Sequence, residues 1–222
     1  MRLTLFDLDG TLLAGDSDHA FGEFLVRCGW ADGADYKRRN DEFFNQYQAG
    51  RLDINAYIEF CTSPWRHRAP AELEKFSAAF TAQLVQAALP AASRVLVRQH
   101  QAAGDQVAIV TATNDFITRP IADVLGVPDL IATELERDAE GRVTGAIRGV
   151  PAFREGKITR VQQWLAQRGQ RWEDFERTTF YSDSTNDLPL LERVSHPVAT
   201  QPGHQLEALA RERGWPILKL FE

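Results

Sequence analysis

The segment Leu5-Phe6-Asp7-Leu8-Asp9-Gly10-Thr11 limits what this chain can be more than any other part of it. An apolar run stops at two carboxylates one residue apart and passes straight into a turn. On an extended chain alternate residues face the same way, so Asp7 and Asp9 share a side, and Gly10 lets the backbone turn off beyond them. In an open α/β sheet the crevice beyond the carboxyl ends of the strands is where ligands bind. Two acids beside a glycine also describe a solvated turn, and these residues alone leave both readings open.

Two later segments repeat the arrangement. The run Gln106 to Val110 ends in Thr111-Ala112-Thr113-Asn114, ahead of a helical pattern that starts near Phe116. The run Thr178 to Ser182 ends at Asp183, and Asp187 follows one helical turn later on the same face. Between them, Arg154-Glu155-Gly156-Lys157 leads into a predicted helix from Ile158 to Arg168. A cation is disfavoured at the positive end of a helix dipole, and a nearby anion would relieve the conflict. Each residue has a plainer reading: Thr111 as a helix N-cap, Lys157 as a solvated lysine, Asp183 and Asp187 as caps of the next helix.

The pattern of elements predicts an α/β chain, a doubly wound parallel sheet interrupted once by an inserted helical cap. Residues 1–14 and 90–222 form the core and residues 15–89 the cap. Within the cap the apolar spacing is helical from Phe21 to Val26, Tyr36 to Tyr47, Ile54 to Phe60 and Leu73 to Leu89, with Asp53 as an N-cap and Pro90 marking the return. The core then alternates: helix Ser93 to Ala103, strand Gln106 to Val110, helix Phe116 to Leu125, strand Leu130 to Glu136. Such alternation argues for parallel strands. A hairpin excursion is predicted over Arg137 to Ile147, and short strands near Pro197-Val198-Ala199 and Pro216 to Leu218.

Composition removes several classes of function. With 222 residues, 44% of them hydrophobic, the chain can fill one core and a small insertion. A net charge of -6 gives no electrostatic support to a nucleic-acid partner. Cys28 and Cys61 are too few for a disulfide framework and lack zinc-ligand spacing, which fits a reducing compartment. The first strand starts at about Arg2 and no run reaches the roughly 18 apolar residues of a membrane span, so the expectation is a cytoplasmic protein with no membrane partner. Nothing bears on oligomeric state.

Taken in order, Asp7-x-Asp9-Gly10-Thr11, Thr111, Lys157 and Asp183-Ser184-x-x-Asp187 resemble the four motifs of the haloacid dehalogenase superfamily of aspartate-nucleophile phosphatases, over nearly the whole chain. The long stretch between the first two motifs, the run Tyr181 to Leu191 and the tail around Gly214-Trp215-Pro216 are similar to the branch of phosphoserine phosphatases and histidinol-phosphatase-like relatives. Asp9 points to phosphatases, because dehalogenases of this fold lack the second aspartate. Ser182 stands where many relatives have glycine. Thr111-Ala112-Thr113-Asn114 replaces the Ser-Gly-Gly-Phe type of phosphoserine phosphatases, which points away from phosphoserine.

The resemblance implies roles. Asp7 would be the nucleophile that forms an aspartyl-phosphate, and Asp9 the acid and base. Thr111 and the backbone around Ala112 and Thr113 would hold phosphoryl oxygens, with Lys157 supplying positive charge. Mg²⁺ would be held by Asp7, Asp183 and the Asp9 carbonyl, with Asp187 acting through a metal-bound water or by holding Lys157. The substrate is expected to be a small phosphorylated metabolite. Asp16 occupies the position of a substrate-contacting glutamate, with Asp18 beside it, so an amine-bearing ester such as histidinol phosphate is favoured and phosphoserine is the alternative. Plainer readings exist here too: Asp18 as the helix cap with Asp16 and His19 exposed, and Arg66-His67-Arg68 beside Trp65 as a solvated loop or a substrate contact. A catalytically silent binding or regulatory protein on the same fold is the alternative of another class.

Overall fold

A computed structural model describes residues 1–221. The chain begins with strand β1 (Arg2–Phe6), then runs through four consecutive helices: α1 (Ser17–Arg27), α2 (Gly33–Gln48), α3 (Ile54–Thr62) and α4 (Pro70–Ala88). It continues through α5 (Ala91–Ala102), β2 (Gln106–Asn114), α6 (Asp115–Leu125), β3 (Asp129–Thr133), β4 (Leu135–Arg137), β5 (Val143–Ile147) and α7 (Glu155–Ala166). The last part comprises β6 (Arg177–Ser182), α8 (Leu188–Arg193), β7 (His196–Thr200), α9 (His204–Arg213) and β8 (Ile217–Leu218).

Six strands form one sheet in the order β3-β2-β1-β6-β7-β8, and every neighbouring pair is parallel. From β1 the chain builds outward through β2 and β3, then returns to the other side of β1 with β6. The connections therefore leave β1 and β6 in opposite directions, and a crevice opens between the carboxyl ends of these two strands. Asp7 follows β1 and Asp183 follows β6, so both lie at this switch point.

Strand alternation divides the core between the two faces of the sheet. Leu3, Leu5, Ala108, Val110 and Phe180 pack with Val161 and Leu165 of α7, Leu190 of α8 and Leu206 of α9. Phe6, Val107 and Ile109 face the other way, onto α5, α6 and the apolar sides of the inserted helices, including Phe21, Phe24, Ile58 and Phe80. Asp7 continues the parity of Leu3 and Leu5, which directs it to the α7 side. The insertion begins and ends at one place, because the Ala14 amide donates to the Ala88 carbonyl at 2.8 Å.

Several element ends differ from the sequence expectation. β2 runs on to Asn114 instead of stopping at Val110, with an irregularity in its pairing with β3 between those residues. The expected strand Leu130 to Glu136 is two strands: β3 stops at Thr133 and β4 turns away to pair antiparallel with β5 as the excursion hairpin. The helix at Lys157 starts at Glu155, earlier than predicted, with Gly156 packed so closely on the Pro151 carbonyl that a Cβ would lie 2.1 Å from it. Among the described residues no helix is long and apolar enough to cross a membrane.

Candidate active site

Lys157 is the centre of the site. Its side chain is 1% exposed, and Nζ donates to Asp7 Oδ1 at 2.8 Å and to Asp187 Oδ2 at 2.7 Å. It lies in the first turn of α7, where the helix dipole opposes a cation, and the two carboxylates outweigh that penalty. Burial lowers its pKa, but Asp187 and Asp7 more than offset this and hold the ammonium charged. The solvated-lysine reading is therefore excluded. Asp187 Oδ2 also accepts from the Ser182 hydroxyl at 2.8 Å, and Ser182 in turn accepts from the Ser184 amide at 3.1 Å. A serine at this position thus ties down Asp187, work that a glycine would leave undone. Of the two roles left open for Asp187, the direct bond to Lys157 is present.

Asp7 and Asp9 turn to different partners. Asp9 Oδ1 accepts from the Ser17 amide at 2.6 Å and Oδ2 from the Thr113 hydroxyl at 2.8 Å. Burial pushes Asp7 up to about 7, with Lys157 opposing and the charges of Asp187 and Asp9 adding to it. Asp9 is likewise pushed up to about 7, by burial and then by the charge of Asp16. Across the crevice, Thr11 donates its hydroxyl to Asp183 Oδ1 at 2.9 Å and accepts from the Asp183 amide at 3.0 Å. Burial and the Asp7 charge push the Asp183 carboxyl well above the ordinary range. Gly10, at φ +70°, makes this approach possible, since a Cβ there would lie 2.3 Å from Asp183 Oδ2.

A crevice with so many carboxylates and one lysine has too little positive charge. Hard oxygen donors from Asp7 and Asp183, whose charged forms are disfavoured as they stand, suit a small divalent cation. Among the described residues no three Asp, Glu, His or Cys side chains make a ready ligand cage.

Four more groups take definite places. Thr111 is a buried strand residue and not an N-cap; Asn114 caps α6. The Thr113 amide, expected to face a phosphoryl group, donates to Thr111 Oγ1 at 3.2 Å, and the Thr113 hydroxyl is held by Asp9. Ala112 lines the cleft beside them. Capping of α1 falls to Asp16, whose Oδ1 accepts from the His19 amide at 2.7 Å, whereas Asp18 is buried. The reason is geometric: the N-cap residue is extended and precedes the first helical turn, and Asp16 has φ -111°, ψ 116° while Asp18 lies inside that turn. Arg66 pairs with Glu59 and Arg68 with Glu72, and Trp65 is packed inside, so this basic group does not reach the cleft.

A second part of the site was not visible in the sequence. From Asp7 and Asp9 a cleft runs under the inserted helices between Asp16, Asp18, Asn40, Phe43, Tyr47 and Tyr57. No lysine or arginine lines it among the described residues. One sequence signal pointed to this wall: Gly22 lies in the buried face of α1, and a Cβ there would lie 2.5 Å from the Asn40 side chain, so this glycine lets α1 and α2 close on each other.

The sequence model of the haloacid dehalogenase-like hydrolase family matches residues 4–192. The chain belongs to this family. Within it, a histidinol-phosphatase of Neisseria meningitidis serogroup C (strain 8013) is 44% identical over 217 residues, with 98% of each chain covered. A phosphoserine phosphatase of Mycobacterium tuberculosis is 32% identical over 222 residues, covering 96% of this chain and 68% of the relative. Among solved structures, a protein of unknown function from Bordetella pertussis Tohama I matches this haloacid dehalogenase-like hydrolase with a TM-score of 0.93 at 46% identity over 99% of each chain. A substrate-bound phosphoserine phosphatase shares the fold, with a TM-score of 0.67 at 17% identity over 97% of this chain and 91% of that one.

Proposed function

We propose that this haloacid dehalogenase-like hydrolase is a phosphatase that cleaves a small, amine-bearing phosphomonoester through an aspartyl-phosphate on Asp7, with histidinol phosphate as the leading substrate. The observation that carries the reading is the buried bridge Asp7–Lys157–Asp187 at the switch point, with Asp9 held two residues away by Ser17 and Thr113.

A phosphate monoester is an anion, so an anionic nucleophile meets it only where positive charge is already in place. Lys157 supplies that charge, and Asp187 fixes it on the Asp7 side of the crevice. Asp7 attacks phosphorus and the bond to the ester oxygen breaks; Asp9 delivers its proton to that oxygen. Water then attacks the phosphorus of the aspartyl-phosphate, Asp9 takes the proton of that water, and phosphate leaves with Asp7 restored. A carboxyl with a pKa near 7 suits both halves of this exchange. The carboxylates of Asp7 and Asp183 with the Asp9 carbonyl would hold Mg²⁺. When bound, it would neutralise the phosphoryl charge.

Substrate class rests on the cleft. Its acidic and aromatic walls carry no lysine or arginine among the described residues, and His19, which also lines it, is paired with Asp41 at 2.8 Å, so a cationic group is welcome and the carboxylate of phosphoserine meets no free cation there. The 44% identity to a histidinol-phosphatase supports the same choice. The test measures kcat/KM with Mg²⁺ for p-nitrophenyl phosphate, histidinol phosphate, phosphoserine and glucose 6-phosphate. We expect turnover of all that fit, with histidinol phosphate leading by about tenfold or more, the size of one charge-assisted contact. Equal rates would refute the substrate assignment, and no turnover of any ester would make the chain a silent binding protein.

A further inference from the structure

We propose that Asp18 is the specificity-determining residue of the substrate site: it holds a flat cationic ring at the far end of the cleft while the phosphoryl group lies at Asp7. The proposal rests on the phosphatase reading above and names the part of the substrate that the inserted helices recognise.

Asp18 lies in the first turn of α1, is 9% exposed, and its Oδ1 has no hydrogen-bond partner among the described residues. The Tyr57 hydroxyl bonds the Asp18 carboxyl, but leaving the other oxygen buried and unpaired is expensive, and a chain keeps such a group when something outside it completes the pairing. The helix dipole favours an acid in this turn, but would be satisfied equally by one pointing into solvent. Capping does not account for Asp18 either, because Asp16 already holds the His19 amide.

The position of Asp18 gives the cleft two ends. Tyr47 marks the reactive end, where its carbonyl accepts from the Asn186 side chain at 2.9 Å. Tyr57, whose hydroxyl bonds Asp18, marks the other, with its ring 5.3 Å from that of Phe43. Burial and then the charges of Asp16 and Asp9 push the Asp18 carboxyl well above its ordinary range, with the Tyr57 hydrogen bond opposing, and a cation beside it would favour the charged form. Phe43, Leu52, Ile54 and Tyr57 supply apolar lining to the cleft. The cleft holds about 510 Å³ of space, part of it open to solvent. Its aromatic and aliphatic walls suit the faces of a planar ring better than a hydrated, roughly spherical ammonium. An imidazolium is flat, cationic and able to donate to a carboxylate.

The test compares histidinol phosphate with phenylalaninol phosphate, which keeps the amine and replaces imidazole by phenyl, in wild type, Asp18→Asn and Asp16→Asn. Wild type should prefer histidinol phosphate by about tenfold or more in kcat/KM, one charge-assisted hydrogen bond. Asp18→Asn should bring the two substrates to within about threefold, whereas Asp16→Asn should keep the wild-type ratio, asparagine capping a helix about as well as aspartate. A ratio near one in wild type, equal losses on both substrates in Asp18→Asn, or collapse of the ratio in Asp16→Asn alone would each overturn the proposal. If Asp18→Asn does not fold, calorimetric binding of histidinol and phenylalaninol to wild type decides: equal affinity overturns it and tighter histidinol supports it. If wild type hydrolyses no ester, the phosphatase reading fails instead, and the same calorimetry on wild type and Asp18→Asn still decides the subsite.

Discussion

Replacing Lys157 by Met removes the charge at the centre of the site while keeping most of the volume. In the native protein Nζ lies 2.8 Å from Asp7 Oδ1 and 2.7 Å from Asp187 Oδ2, with Lys157 1% exposed. Breaking a buried ion pair by deleting one partner costs about 3–5 kcal/mol, because an uncompensated charge stays behind. Asp7 can escape that penalty only by taking up a proton. From an ordinary carboxyl pKa this costs about 1.4 kcal/mol per pH unit, so about 4–5 kcal/mol at pH 7.5 and about 1–2 kcal/mol at pH 5. Without Lys157, burial and the Asp187 charge still raise Asp7, so its folded pKa lies further above the unfolded value than in wild type. A group raised in this way contributes its stability below the unfolded pKa and loses it as pH climbs through the folded one. The variant should therefore lose about 3–5 kcal/mol at pH 7.5 in EDTA, and less at pH 5. Urea unfolding followed by tryptophan fluorescence at both pH values measures this. A loss under about 1 kcal/mol at pH 7.5, or a larger loss at pH 5 than at pH 7.5, would refute the reasoning.

Asp7→Asn should fold normally, since Asp7 ends a strand, yet retain less than about a hundredth of wild-type kcat on p-nitrophenyl phosphate, because an amide is a poor nucleophile. EDTA should abolish turnover, Mg²⁺ should restore it and Ca²⁺ should inhibit, being larger and less tied to octahedral geometry; Asp183→Asn should raise the Mg²⁺ needed for half activity in the same assay. Gly10→Ala should lower stability by about 2 kcal/mol or more, from the positive φ and the 2.3 Å approach of Asp183, with a matching drop in the urea midpoint. Asp16→Ala should cost about 1 kcal/mol through loss of the α1 cap, read as a lower Tm.

Strand ends carrying acids, hydroxyls or a lysine were legible in the linear chain, because apolar runs, turn residues and helical spacing are local properties. The same locality made the parallel sheet and the four inserted helices readable, since alternation and period need only a short window. Lys157 could be placed at a helix start from its neighbours, but its two partners lie 150 and 30 residues away, and only the packing of α7 on the sheet brings them within 3 Å. The exchange between Asp16 and Asp18 was hidden for a related reason. Two aspartates two residues apart at a helix start are equivalent in sequence, and the dihedral angles of the chain leaving Gly15 decide which one caps. Burial of the other follows from where α2 and α3 come to rest, so the aromatic wall and the unpaired oxygen of Asp18 exist only in the folded protein. Charge on a sequence is a count, whereas the cost of a charge depends on the solvent and partners around it, and tertiary structure sets both.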